Sequence, residues 1–152
     1  MKREHVLPSP EDTHSLGRAL AGLLRPGDLV VLVGPLGAGK TALTQGIGAG
    51  LGVREPVTSP TFVISRVHRD GRVPLVHVDA YRLGGVADVD DLDLDGSVGE
   101  SVTVVEWGEG LVEQLADEHL LIRLDRRDDD VRLAVLVPHG PSWDARLAER
   151  RP

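Results

Sequence analysis

The chain has 152 residues, 41% hydrophobic and 27% charged, which suits a single domain with a real core, and no second folding unit is expected. A formal net charge of -7 and the lack of any long Lys/Arg run exclude a surface that captures nucleic acid by itself, because such affinity comes mainly from neutralising phosphates. With no cysteine there is no disulfide or thiolate metal site; the N-terminal MKREHVLPSP has no apolar signal region, and no apolar run nears the roughly 20 residues of a membrane span, so a cytoplasmic protein is expected.

Residues 11–24 read as an amphipathic helix, since Leu16, Ala19, Leu20, Leu23 and Leu24 recur at helical spacing; Ser9 or Asp12 caps its start and Pro26-Gly27 ends it. Residues 29–33, LVVLV, form a continuous β-branched run of the kind buried on both faces of a parallel sheet. GPLGAGKT follows at 34–41, and 41–51 is a helix stopped by Gly52. Residues 56–60 are a stiff connector into a strand at 61–68, and Asp70-Gly71 turns the chain into a strand at 74–79, predicting an antiparallel pair. An acidic, weakly helical stretch at 86–94 precedes a short buried strand at 102–106 and a helix at 111–116. Residues 119–125 and 131–137 make a closing hairpin, and 142–150 a polar terminal helix expected to fray. The expected unit is one domain over 1–152, with its core at about 11–137. Its class is α/β: a three-layer sandwich like that of phosphate-loop NTPases, around a mixed, mostly parallel central sheet.

GPLGAGKT is a complete G-x-x-x-x-G-K-[ST] loop with a strand before it and a helix after it, the context that nucleoside triphosphate binding requires. Its glycines let successive N–H groups turn toward phosphate oxygens, and the helix N-terminus adds its dipole. Lys40 places a compact charge between the β- and γ-phosphates, and the Thr41 hydroxyl is a Mg²⁺ ligand. Lys2 and Lys40 are the only lysines in an arginine-rich chain, so a lysine at this position has a reason. As a loop cation, Lys40 is expected to be exposed and to add little to packing.

Such a loop needs a carboxylate at the end of a neighbouring strand, and two apolar runs end that way, at Asp79 and Glu106. Thr61, after Pro60, is placed to sense the γ-phosphate; a plain turn into a strand is the alternative. Phe62, Tyr81 and Trp107 lie in these same segments, whereas Trp143 does not. DLDLDG at 91–96 opens like a calcium loop but lacks its twelfth-position Glu, and His68 and His77 have no zinc-site spacing and are read as structural; neither calcium nor zinc is expected.

GPLGAGKTALTQGI, VTSPTFVI, HVDAYRL and VEWGEG, in this order and at these separations, resemble the TsaE (YjeE) family, the ATPases of bacterial tRNA threonylcarbamoyladenosine synthesis, over about 11–136. The loop alone is shared widely; the other three motifs are specific. The resemblance implies that Leu36, Gly37, Ala38, Gly39, Lys40 and Thr41 bind the phosphates of ATP or ADP, with Thr41 and Glu106 ligating Mg²⁺. It makes Asp79 the acid needed for hydrolysis and Thr61 the switch-like threonine, sets Trp107 close to the nucleotide, and assigns Thr13 to the adenine side. It further implies action on a TsaD–TsaB complex, with tRNA met only indirectly through it. Two departures stand out: Pro35 where relatives often carry Asp, which leaves a backbone-mediated loop intact, and the acidic 88–95 stretch, which matches the family's helix loosely.

A small-molecule kinase is the competing reading, but its lid would have to come from Arg66, Arg69 or Arg72 around a hairpin turn. A binding module with negligible turnover would carry the same loop. A GTPase is excluded as far as its N-K-x-D signature goes, since the chain has no Asn.

Overall fold

The computed structural model describes residues 3–35, 37–54, 56–57, 65–79, 99–106, 118–129 and 131–149, the side chains at 65, 79 and 149 aside. The seven strands among the described residues are β1 (Arg3–Leu7), β2 (Leu29–Val33), β3 (Ser65–His68), β4 (Leu75–Asp79), β5 (Val102–Glu106), β6 (His119–Arg126) and β7 (Arg132–His139). The described helices are α1 (Pro10–Ala21), α2 (Lys40–Leu51) and α3 (Pro141–Glu149). The predicted helices at 86–94 and 111–116 lie outside the described residues.

The strands form one sheet in the order β1-β7-β6-β2-β5-β4-β3. β6, β2, β5 and β4 are mutually parallel, while β1, β7 and β3 join antiparallel at the margins. The α/β class with a mixed, mostly parallel central sheet is therefore the observed one. Parallel strands must be covered, and the inner ones are: β2 and β5 are buried along nearly their whole length. Val30, Leu32, Val102, Val104, Ile122 and Leu136 meet Leu20, Leu43, Ile47 and Leu147 of the helices in one core, so the helices lie on that face. Leu29, Val31, Val76, Val78 and Val105, which alternate with them along the strands, are buried too.

α1 begins where Ser9 accepts from the Asp12 amide and Asp12 Oδ2 accepts in return from the Ser9 amide at 3.0 Å, a reciprocal cap with Pro10 at the first helical position. Its other end is closed from a distance, because the Arg72 guanidinium donates to the carbonyl of Ala21 at 2.5 Å. Arg72 thus serves the fold, and the kinase reading loses one of its lid candidates. α1 and α2 cross in close contact: a Cβ at Gly17 would meet the Leu43 carbonyl, and one at Gly46 the His14 carbonyl. That approach sets α2, and the loop before it, against the sheet.

One strand was not anticipated, and one expectation needs correction. Residues 3–7 are a sheet strand, with Val6 opposite Leu133 on β7. The terminal helix is anchored instead of frayed: Trp143 is 1% exposed and Leu147 4%. Arg146 grips Asp28 with both forks, at 2.6 and 3.1 Å, and lies 4.3 Å over the Trp143 ring. No helix among the described residues is long and apolar enough to cross a membrane.

Candidate nucleotide-binding site

β2 ends at Val33 and the chain turns at once into the loop, as the flanking sequence predicts. Gly37 and Gly39 have φ of 80° and 104°, values a side chain disfavours. Gly34 is required by contact, since a Cβ there would strike the Leu124 carbonyl on β6. Lys40 starts α2 with no side-chain cap before it, so the first amides of the helix remain available to an anion.

Lys40 is not the exposed cation anticipated. It is 5% exposed, and its ammonium donates to the carbonyls of Gly34 at 2.7 Å and Pro35 at 2.9 Å. The charge is folded back over the loop that it serves. Thr41 sits in the first turn of α2, half-buried.

The parallel register puts Asp79 of β4 directly beside Glu106 of β5, and Glu106 beside Leu32 of β2. Both strand-end acids therefore stand at the carboxyl edge of the sheet, next to the loop, where open α/β sheets take their ligands. Glu106 is 5% exposed, and its Oε2 accepts a hydrogen bond from Nε2 of the fully buried His77 at 2.6 Å. His77, read from sequence as structural, has a specific partner: it fixes the carboxylate's orientation, as hydrogen-bond partners of metal-binding carboxylates do. The contact joins residues 29 positions apart on two strands, so no local sequence pattern announces it.

Thr13 is buried on α1 with its methyl 3.6 Å from where a Cβ on Gly39 would lie, and its hydroxyl has no hydrogen-bond partner among the described residues. A buried hydroxyl with unused hydrogen-bonding capacity beside the loop fits a ligand group there. No cluster of three His, Asp or Glu that would hold a metal assembles among the described residues. A cation at this site would be shared with phosphate oxygens, as Mg²⁺ commonly is. Arg126 and Arg132, which no motif singled out, reach the loop from the β6–β7 hairpin. Leu36, Thr61, Trp107 and the side chain of Asp79 lie outside the described residues.

The model of the family described as "Threonylcarbamoyl adenosine biosynthesis protein TsaE" matches residues 7–134. The protein of Streptomyces coelicolor called tRNA threonylcarbamoyladenosine biosynthesis protein TsaE is 60% identical over 136 residues, covering 84% of this chain and 91% of that one. The Bacillus subtilis protein of the same name is 42% identical over 137 residues, covering 90% of this chain and 85% of its own. The crystal structure of Bacillus subtilis YdiB superposes with a TM-score of 0.83 at 33% identity, covering 98% of this chain and 93% of the other. A family model over most of the chain, and relatives 60% and 42% identical over most of both lengths, show that the chain belongs to the TsaE family.

Proposed function

We propose that this protein binds and hydrolyses ATP with Mg²⁺ in the cytoplasm, and serves tRNA threonylcarbamoyladenosine formation by acting on a TsaD–TsaB complex. The observation that carries the reading is the juxtaposition of a glycine-shaped loop at the end of β2 with Glu106, one strand away and held by His77. The role in the modification comes from the family, whose relatives carry that pathway in their names.

Backbone amides from Leu36 to Thr41 would receive the phosphates, and Lys40 would exchange the Gly34 and Pro35 carbonyls for β- and γ-phosphate oxygens. Thr41 and Glu106 would hold Mg²⁺, which when bound neutralises charge on those oxygens. Asp79, one strand further on in register, would orient the attacking water. Thr61 would report the γ-phosphate to the rest of the chain, Thr13 would accept the nucleoside side, and Trp107, directly after Glu106, would border the nucleotide. With a net charge of -7, the chain has little means of holding tRNA alone, so RNA is met through the partner complex.

Phosphate release from ATP, measured with and without purified TsaB and TsaD, tests this. Feeble turnover alone and a clear rise with both partners is the expected result. Turnover that the partners leave untouched would detach the ATPase from that complex.

A further inference from the structure

We infer that Arg126 and Arg132 are nucleotide-binding residues that hold the α-phosphate and ribose end of the ligand, on the flank of the loop opposite the metal; this rests on the nucleotide reading above. β6 lies beside β2 in parallel, with Val33 opposite Arg123, so its last residues run on past the end of β2 and over the loop. Arg126 and Arg132 face each other across the β6–β7 hairpin, which puts both side chains on one face of the sheet. That face is the helix side, because Leu124 and Ala134, two residues away on each strand, belong to the core beneath α1 and α2.

Distances agree. Nη1 of Arg126 lies 3.5 Å from the point a Cβ on Gly37 would occupy, and Cγ of Arg132 lies 3.9 Å from that point on Gly39. The unpartnered Thr13 hydroxyl belongs to the same flank, its methyl touching the Gly39 position. Glu106 stands on β5, across β2 from β6. A nucleotide whose metal-bearing phosphates lie toward β5 must direct its other end toward β6 and β7. Guanidinium groups suit that place, since their planar fork matches phosphate oxygens in pairs.

Calorimetric titration of the full chain with ADP, with and without Mg²⁺, tests the inference. Arg126→Ala and Arg132→Ala should each weaken binding by about tenfold, the scale of a lost charge-assisted contact, and equally in both conditions. Arg127→Ala should bind normally, because Arg127 is exposed and pairs with Asp129 within the turn. Thermal melts check folding, and glutamine variants, which keep most of the stem, decide the matter if an alanine variant melts early. Normal affinity in the Arg126 and Arg132 variants, with binding lost in Lys40→Ala, overturns the inference and leaves the phosphate-loop reading standing. A loss confined to Mg²⁺ conditions would put the arginines on the metal side, and equal losses in all three arginine variants would reduce the effect to general charge; either result overturns it. Normal affinity in Lys40→Ala removes the phosphate-loop reading and this inference with it.

Discussion

Lys40 has an internal role before any ligand arrives. A buried ammonium must be solvated by something, and here the carbonyls of Gly34 and Pro35 do it, curling the loop around its own cation. Lys40→Ala should therefore lose nucleotide affinity by about 1.5 to 3 kcal/mol and also melt earlier, by up to about the same amount, since two charged hydrogen bonds vanish with the side chain. Calorimetry and a denaturation curve read the two effects separately; an unchanged melt would mean that the loop holds its shape without the lysine. Glu106 and Asp79 stand side by side in register but should fail differently. Glu106→Gln should weaken Mg²⁺-dependent binding more than Mg²⁺-free binding, and Asp79→Asn should leave binding largely intact while slowing phosphate release. Equal loss of one property in both variants contradicts the division. Both acids were legible in the sequence because an apolar run ending in a carboxylate is a local pattern. The His77 contact with Glu106 was not, since it depends on how two strands 29 positions apart align.

Among the elements, the α1–α2 crossing sets the loop against the sheet, and α3 is fastened at Asp28, just before the start of β2. Trp143 and Leu147 are four positions apart, one turn of helix, in an otherwise polar segment. That is too weak a stripe to announce burial, and the Asp28–Arg146 pair that fastens the helix joins distant parts of the chain. Trp143→Ala should cost about 3 to 5 kcal/mol, as removal of a large core side chain does, and a chemical denaturation midpoint close to the parent's would return α3 to the surface. Gly46→Ala should cost about 1 to 3 kcal/mol by forcing α2 away from the His14 carbonyl, where alanine in an open helix would stabilise. A neutral or stabilising result in the same assay would mean that the helices are not held at that spacing. β1 also escaped the sequence reading: Arg-Glu-His-Val-Leu is short and mostly polar, which is what an edge strand against β7 allows. β2, α2 and β5 were legible to within a residue because propensity, burial and end signals agree there.

At the scale of the whole molecule, the sheet order sorts the charges around the loop. Acids on β4 and β5 stand to one side of β2, and arginines on β6 and β7 to the other. On the proposed function, a nucleotide laid across that edge would be read at both ends, and a chain of net charge -7 would meet RNA through partner proteins. On the same proposal, nucleotide use at this loop is what the tRNA modification needs from the protein. Mass spectrometry of tRNA nucleosides from cells depleted of it, and complemented with either the parent chain or Lys40→Ala, tests that directly. Restoration of threonylcarbamoyladenosine by the parent alone is the predicted result; full restoration by a stably expressed Lys40→Ala variant would contradict it.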